Sequence, residues 1–483
     1  MNFAMIRRTL GFMLLFLAIF LLVPLVTSLI YWEKAGLSVL IAALLAGGVG
    51  WLCILKKPKK REIYAREGFV IVALCWIVLS LFGALPFWLS GEIPSYVDAL
   101  FETVSGFTTT GATILPTGEA LEALPKCLLM WRSFTHWVGG MGVLVFVMAF
   151  LPLSGAGNLH MMRAESTGAD VGKIVPKMRQ TAKILYLIYA AMTTAQFLLL
   201  LCGGMSVFEA LNTAFSTAGT GGFGFKGDSM ASYNSYLQIV TTVFMLLFSI
   251  NFNSYFLLLR GKCKDAFNAE VRTFLLIVLG AILLISLNIF LTEGYGYGFA
   301  EALKDAAFSV ASVISTTGFV TEDFNLWPTL SKTVLVVLMF IGACAGSTGG
   351  GIKVSRIMVL CKGGIYEVGR MIHPKQVKKI AIDGRKLEHE VVRSINAYLV
   401  AFILVYVISL LLISLEGYDL VTSFTAVAAT VNNVGPGLGA VGPSGNFAFF
   451  NDFSKLVLVF DMLAGRLEIF PILILFSPRT WKK

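Results

Sequence analysis

Four short segments of this sequence combine Ser, Thr or Asn with glycine. Their last glycines, Gly111, Gly219, Gly318 and Gly435, lie roughly 100 to 120 residues apart, and recurrence at a near-fixed period indicates repeated structure. Backbone carbonyls in polar, glycine-containing segments can replace the water shell of a cation when several such segments meet on one axis. The pattern therefore predicts four repeats around a common ion path.

The residue types in these segments suit the coordination of a dehydrated cation. Glycine tolerates the unusual backbone angles that are needed to align carbonyls along an axis. Hydroxyls of Thr or Ser, and the amides of Asn432 and Asn433, can add oxygens or hold the loop from behind. The predicted ion-binding residues are Thr109, Thr110, Gly111, Thr217, Ala218, Gly219, Thr316, Thr317, Gly318, Asn433, Val434 and Gly435. The alternative is that these small residues only let transmembrane helices approach closely, and the fourfold recurrence disfavours it.

The composition indicates an integral membrane protein. The chain has 483 residues, of which 57% are hydrophobic and 14% charged, and its mean hydropathy is +0.80. Soluble chains carry about 25% charged residues. Most of the 38 Lys and Arg residues fall in six blocks, and the predicted spans place these blocks on one side, the cytoplasm by the positive-inside rule. Topology thus explains the net charge of +10, and no nucleic acid partner is expected.

Ten apolar segments are long enough to cross a hydrocarbon core of about 30 Å. They lie at 9–31, 37–55, 68–90, 125–152, 181–203, 233–259, 271–292, 329–360, 391–414 and 452–476. An even number of crossings puts both termini in the cytoplasm. Acidic residues concentrate on the outer side, where they attract cations.

The first two spans form a hairpin, and each later pair of spans encloses a third element that is too short to cross. These elements are predicted re-entrant half-helices, at 96–106, 207–215, 299–314 and 420–429. Their C-terminal ends, which carry the negative end of the helix dipole, point at the glycine segments and favour a cation. The predicted fold is an all-α polytopic membrane protein, with a two-helix hairpin and four span–pore helix–span repeats in pseudo-fourfold order around a central pore. The hairpin covers 1–67, and the repeats cover 68–180, 181–268, 269–390 and 391–483.

Two further features lie below the predicted filter. The span at 329–360 is interrupted by the glycine-rich run 342–351, which disfavours a straight helix because each glycine costs about 1 kcal/mol relative to alanine. The last span contains Arg466, whose charge is costly unless it faces a cavity or an acid such as Glu468 or Asp461. A structural kink is the alternative for the glycine run, and an ion pair is compatible with an arginine that lines the pore.

Motifs that would indicate an enzyme lack their structural context. The run 437–442 fits the G-x-G-x-x-G pattern, but it follows a short helix on the outer side and no strand. The seven cysteines and four histidines show no spacing typical of metal ligands. We therefore expect a transporter and not an enzyme, with no cofactor in this chain.

The motifs resemble those of the Trk/Ktr/HKT superfamily of cation transporters, and within it those of bacterial Trk-type potassium uptake proteins of the TrkH/TrkG kind. The resemblance covers essentially the whole chain and is carried by 105–113, by 131–133 with 137–142, and by 432–437. It implies potassium as the substrate, because glycine at all four filter positions goes with potassium preference in this superfamily. It also implies an intramembrane gate, made of Gly346, Ser347, Thr348, Gly349, Gly350 and Gly351 together with Arg466.

The same resemblance implies where the chain works and with what. It is expected in the bacterial inner membrane, among lipid, as a homodimer that docks a cytosolic, nucleotide-binding TrkA-type regulatory subunit. The short basic segments at 153–180 and 361–390 are either membrane-proximal anchors or the sites of that docking. Channel-like flow, proton symport and sodium-coupled symport stay open. The alternative function is a secondary transporter for another cation or an organic solute, since broken helices also mark such proteins.

Overall fold

The computed structural model describes residues 1–56, 58, 64–116, 118–142, 178–292, 298–373 and 380–481. Regular structure in these ranges is almost entirely α-helical, as the composition predicts. The predicted docking segment at 153–180 lies outside the described residues apart from 178–180. The last ten residues of the predicted span 125–152 lie outside them as well.

The N-terminal unit is a hairpin of apolar helices, as predicted. Helices α1 (Phe3–Phe20) and α2 (Leu22–Tyr31) follow one another, and α3 (Gly36–Leu55) packs back along α1. The two backbones approach closely at Gly11 and Gly50, where a Cβ atom on either glycine would lie 2.8 Å from the carbonyl oxygen of the other. Small residues at such a crossing let apolar helices pack tightly in a membrane.

Each of the four repeats contains a first helix, a short helix, an irregular segment and a second helix. The first helices are α4 (Ala65–Gly83, continued by α5, Leu85–Ser90), α9 (Met178–Cys202), α14 (Ala269–Leu291) and α18 (His389–Ile413). The short helices are α6 (Tyr96–Phe107), α10 (Val207–Gly219), α15 (Phe299–Ile314) and α19 (Leu420–Val431). The second helices are α8 (Lys126–Gly140), α11 (Ser235–Phe248), α16 (Thr329–Ile341) and α20 (Asp452–Arg466). This order confirms the predicted fold class.

Polar caps fix where three of the short helices begin. Ser95, Ser206 and Asp419 each accept a hydrogen bond from a backbone amide in the first turn of the helix that follows. Glu209 completes a capping box with Ser206, and hydrogen bonds from Thr422 hold the pKa of Asp419 below its ordinary value. The C-terminal ends of the short helices, which carry the negative end of the helix dipole, lead directly into the irregular segments.

All four second helices end or bend, whereas the sequence predicts an interruption only in the third repeat. Helix α8 ends at Gly140, and α11 bends by 90° into α12 (Phe252–Leu259). Helix α16 ends at Ile341, and α20 is separated from α21 (Phe470–Phe476) by residues with left-handed φ, Glu468 and Ile469. The sequence therefore predicts the break after α16, but not the bend after α11 or the break between α20 and α21. Within the described ranges, six helical stretches are each long and apolar enough to cross a membrane: Phe3–Tyr31, Gly36–Leu55, Arg66–Ser90, Ala182–Cys202, Ala269–Leu291 and His389–Glu416.

Small elements connect the repeats. Helix α7 (Glu119–Glu122) precedes α8, and α13 (Cys263–Ala266) precedes α14. Helix α17 (Val354–Ile372) leads towards a two-stranded antiparallel hairpin, β1 (Ala381–Ile382) and β2 (Arg385–Lys386), in which Ala381 pairs with Lys386. The turn residue Asp383 accepts hydrogen bonds from the Ala269 amide at 2.9 and 3.1 Å and so caps α14. Helix α22 (Pro478–Trp481) ends the described chain.

Candidate ion filter and gate

The four irregular segments share one backbone conformation. In each of them, a residue with left-handed φ is followed two positions later by a glycine with left-handed φ. The pairs are Thr109 and Gly111 (φ 56° and 80°), Thr220 and Gly222 (55° and 77°), Thr316 and Gly318 (58° and 85°), and Asn433 and Gly435 (55° and 100°). Left-handed φ is strained for a β-branched residue, and such strain clusters at functional sites. The repetition therefore marks the four segments as equivalent parts of one site.

One hydrogen bond in each segment turns the chain out of its short helix. The amide that follows the left-handed residue bonds to a carbonyl oxygen of the last helical turns. These bonds join Thr110 to Ser105, Gly221 to Ser216 and Thr317 to Ser312 at 2.9 Å, and Val434 to Ala429 at 2.8 Å. The bond satisfies one of the carbonyls that a helix end leaves unpaired. It also fixes which residues of the four segments correspond.

The four glycines close a ring of neighbouring segments. A Cβ atom on each glycine would lie under 3.0 Å from a backbone carbonyl oxygen of the next segment in the ring. The contacts are Gly111 on Gly221, Gly222 on Thr317, Gly318 on Val434 and Gly435 on Thr110. Since each segment contacts the next and the fourth contacts the first, the segments surround one axis. We call residues 109–111, 220–222, 316–318 and 433–435 the filter segments.

The structure corrects the predicted register of the second segment. Thr217, Ala218 and Gly219 belong to the last turn of α10, which runs four residues beyond the predicted half-helix. There Gly219 packs against the backbone of α8, where an added Cβ would meet the His136 carbonyl oxygen. The filter positions of this repeat are Thr220, Gly221 and Gly222. In the other three segments, the residues predicted from the sequence are the same as those of the filter segments.

A sequence signal for the correct register exists. Gly222 is followed by a phenylalanine, as Gly318 is, and Thr precedes both glycines by two positions. Alignment of these two Thr-x-Gly-Phe runs identifies Gly222 as the equivalent of Gly318. The Ser-Thr-Ala-Gly run that predicts Gly219 belongs to the last turn of α10.

Carbonyl oxygens at the ring are available for a ligand. Among the hydrogen bonds of the described residues, none ends on the carbonyl oxygens of Thr110, Gly221, Thr317 or Val434. An unpaired buried carbonyl is costly, because it loses its hydrogen bonds to water without replacement. Four such oxygens around one axis are the arrangement that binds a dehydrated cation.

Side chains in the filter segments bond to the surrounding protein. The Thr110 hydroxyl lies 2.8 Å from that of Thr108 and accepts a hydrogen bond from Asn433 Nδ2 at 2.9 Å. The same Asn433 nitrogen donates to the Met462 carbonyl at 2.9 Å. Asn433 therefore ties the fourth segment to the first segment and to α20, as one of its two predicted roles requires.

The glycine-rich stretch between α16 and α17, residues 342–353, lies against the filter. Gly342, Gly346 and Gly351 have left-handed φ, which ends α16 and prevents a continuous helix. The Gly350 amide donates to Thr316 Oγ1 at 2.6 Å, and the Gly351 amide donates to the Asn432 carbonyl at 3.0 Å. We call residues 342–353 the gate loop, because it packs on the third and fourth filter segments.

The gate loop is also held from the second repeat. The Cys344 amide donates to the Ser249 carbonyl at 3.1 Å, and the Phe252 amide donates to the Gly346 carbonyl at 3.0 Å. The loop therefore lies in the 90° bend between α11 and α12. Thr348 Oγ1 donates to the Phe248 carbonyl at 3.1 Å. These bonds satisfy backbone groups that the bend leaves unpaired.

Glu270 anchors the gate loop from the start of α14. Its buried Oε1 accepts hydrogen bonds from the Ala345 amide at 2.7 Å and from the Ser355 amide at 3.2 Å. The neighbouring Ala269 is the residue that Asp383 of the β-hairpin caps. Glu270 was not predicted as a site residue, because an acidic residue in the first turn of a helix ordinarily only stabilises the helix dipole.

Arg466 joins the gate loop to the end of α8. Its Nη1 donates to the Thr348 carbonyl at 2.9 Å, and its Nη2 donates to the carbonyls of Gly139 and Gly140 at 2.5 and 2.7 Å. The two acids considered as its partners have other contacts: Glu468 pairs with Arg356 at 2.5 Å, and Asp461 accepts from Ser409 at 2.6 Å. A permanent positive charge thus lies between the loop and the negative end of a helix.

The remaining predicted gate residues lie within the same loop. Ser347 Oγ donates to the Cys344 carbonyl at 2.6 Å, which closes a turn of the loop. The Gly349 carbonyl accepts a hydrogen bond from the buried ammonium group of Lys353. The structure therefore brings all the predicted gate residues together, directly beside the filter segments.

Comparisons with known proteins match this chain over most or all of its length. The sequence model of the TrkH family, described as a cation transport protein, matches residues 37–483. The Trk system potassium uptake protein TrkH of Salmonella typhimurium is 37% identical, with all of both chains covered. TrkG of Escherichia coli, also a Trk system potassium uptake protein, is 33% identical over 98% of this chain and 97% of its own. The crystal structure of the potassium transporter TrkH from Vibrio parahaemolyticus superposes with a TM-score of 0.90 at 36% identity, over all of both chains.

Proposed function

The chain belongs to the TrkH family of cation transport proteins, and we propose that it carries potassium ions into the cell through the ring of four filter segments. It is a multi-pass membrane protein and a transporter, not an enzyme; potassium is its substrate, and no cofactor is indicated. The cytoplasmic membrane and cytoplasmic termini are part of the proposal, supported by the basic blocks on one side.

The observation that carries the proposal is the ring of unpaired carbonyl oxygens at Thr110, Gly221, Thr317 and Val434. These oxygens are neutral dipoles, and the negative ends of four short helices point towards them. Such a site attracts a cation without binding it as tightly as a ring of carboxylates would, which conduction requires. Glycine at all four ring positions, Gly111, Gly222, Gly318 and Gly435, supports potassium over sodium by family resemblance.

We further propose that the gate loop controls passage below the filter. Gly350 bonds to Thr316 of the third filter segment, and Gly351 bonds to Asn432, the residue before the fourth. Thr348 bonds to Arg466. Opening would require these bonds to break together. The charge of Arg466 would also repel a cation that leaves the filter, because guanidinium stays protonated.

The proposal extends to a cytosolic TrkA-type regulatory subunit and to a homodimer. Support for the former is a contact path: Asp383 of the β-hairpin caps Ala269, and the adjacent Glu270 holds the gate loop. A protein that moves the hairpin would thereby act on the loop. Cysteine pairs on the exposed faces of α14 and α18 that cross-link in membranes would support the homodimer.

Purified protein in liposomes tests the proposed function. We expect protein-dependent uptake of rubidium-86 down its own gradient, and added pH or sodium gradients show whether transport is coupled. Uptake no greater than in protein-free liposomes, together with counterflow of a labelled organic solute, would favour the alternative of a secondary solute transporter.

A separate prediction concerns the bond between the filter and the gate loop. In Thr316→Val the Gly350 amide loses its acceptor, whereas Thr316→Ser keeps the hydroxyl. We expect rubidium uptake by the valine variant to rise about fivefold, because a neutral hydrogen bond contributes about 1 kcal/mol to the closed state. Initial uptake rates per mole of folded protein measure the effect. Equal uptake rates for the two variants would show that this hydrogen bond does not hold the gate loop closed.

A further inference from the structure

We propose that Arg132 and Glu102 are positioning residues for ion selectivity: their buried ion pair holds the first and second filter segments in place relative to each other. The inference rests on the proposed function and deepens it, since it assigns two residues outside the filter to discrimination between cations. Arg132 lies on α8 and Glu102 on α6, and their side chains are 4% and 0% exposed. The Nε–Oε1 distance is 2.5 Å.

Glu102 fixes the chain that leaves the first filter segment. Its carboxylate accepts hydrogen bonds from Thr113 Oγ1 at 3.0 Å and from the Ile114 amide at 3.0 Å. These residues follow Gly111 by two and three positions. The Thr113 carbonyl in turn accepts from the Phe447 amide of the fourth repeat at 2.8 Å. Movement of the Glu102 carboxylate would therefore be passed to the filter backbone within a few residues.

Arg132 fixes the chain that leaves the second filter segment. Its Nη1 donates to the Gly224 carbonyl at 3.1 Å, and its guanidinium carbon lies 3.6 Å from the centroid of the Phe223 ring. Phe223 and Gly224 directly follow Gly222. Phe223 also has an aromatic neighbour on α8, since it stacks on His136 with centroids 4.2 Å apart. A single planar guanidinium thus contacts both Glu102 and the two residues that directly follow the second filter segment.

The geometry requires both charges and the shape of arginine. A lysine ammonium is a point charge without the planar fork that lets guanidinium donate to two acceptors while it stacks on an aromatic ring. A buried charge without its partner is strongly unfavourable. We therefore expect the side chain that remains after either single substitution to move away from its present position. Because Gly111 packs on the Gly221 carbonyl, a shift of either segment alters the ring itself.

The Arg132–Glu102 pair contacts the chain next to the first and second filter segments. By the shared helix-end hydrogen bonds, the positions equivalent to Glu102 in the other repeats are Thr213, Ser309 and Ala426. None of these is ionisable. Of the four equivalent positions only Glu102 is ionisable, so we expect selectivity to depend on charge at this position.

The test compares Arg132→Lys and Glu102→Gln with a matched ion pair away from the filter exits. The control variants are Arg356→Lys and Glu468→Gln, because that pair has the same 2.5 Å separation. Each variant is reconstituted, and rubidium-86 uptake is competed with unlabelled potassium or sodium. Selectivity is the ratio of the sodium to the potassium concentration that halves uptake. Elution as a single peak in detergent selects folded protein.

We expect the ratio to fall about tenfold in the Arg132 and Glu102 variants, the effect of losing one charge-assisted hydrogen bond, and to stay at the wild-type value in the controls. Wild-type selectivity in folded Arg132→Lys and Glu102→Gln would overturn the inference. If the single variants do not fold, Glu102→Gln/Arg132→Gln removes both charges together, which stability tolerates better. A reduced ratio in that variant supports the inference, and an unchanged ratio or failure to fold shows a structural role only and overturns it. A wild type without potassium selectivity would instead refute the proposed function.

Discussion

Replacement of Gly222 by Ser is expected to lower the discrimination of the protein against sodium by about tenfold, the equivalent of about 1.4 kcal/mol. Gly222 has a φ of 77°, in which an L-residue is strained by about 1–2 kcal/mol. Its added Cβ would also lie under 3.0 Å from the Thr317 carbonyl oxygen. Both problems are relieved if the filter backbone shifts, and that shift moves an oxygen of the ion-binding ring.

Gly219→Ser provides the contrast, because Gly219 is the second filter glycine in the register predicted from sequence. The structure places it in α10 against the His136 carbonyl, away from the ring. We expect this variant to give less folded protein, and the folded fraction to keep wild-type selectivity. Rubidium uptake competed with sodium and potassium measures both variants. A selectivity loss in Gly219→Ser with none in Gly222→Ser would restore the original register and refute the corrected one.

Replacement of Arg466 by Gln is expected to raise rubidium uptake about thirtyfold, because a hydrogen bond from a charged group contributes about 2 kcal/mol. The change removes a charge-assisted bond to the Thr348 carbonyl of the gate loop and the bonds to the end of α8. It also removes the positive charge that repels a cation below the filter.

Arg370→Gln is the control for this variant. Arg370 forms an exposed ion pair with Glu367 at 3.3 Å, and exposed pairs contribute little. Initial rubidium uptake rates per mole of folded protein should be unchanged in the control. A deletion of 346–350 should raise flux as Arg466→Gln does. If neither change alters the rate, the gate loop does not limit transport.

The repeat architecture could be predicted because its causes are local. Apolar runs of sufficient length give the first helices, and capping residues such as Ser95 and Asp419 mark where short helices begin. Three of the four filter glycines follow from the polar residues just before them. At these positions, the glycine that the backbone conformation requires directly follows polar residues that can be recognised in the sequence.

The rest depends on contacts between distant parts of the chain. Helix α10 continues to Gly219 because that glycine fits against the backbone of α8, far away in sequence. The bend after α11 is stabilised by hydrogen bonds to Cys344 and Gly346 of the gate loop. Arg132 and Glu102 lie on different helices, and no local pattern pairs them. A pattern along the chain cannot predict such pairings.

The proposed cation site lies at the ring of carbonyl oxygens from Thr110, Gly221, Thr317 and Val434. Anomalous diffraction from crystals that contain thallium(I) or rubidium in place of potassium tests it most directly. We expect an anomalous peak on the axis of the ring, within coordination distance of all four oxygens, which weakens when potassium is added and persists in sodium. A ring without such a peak, with the ion bound elsewhere in the chain, would show that these carbonyls do not form the cation site.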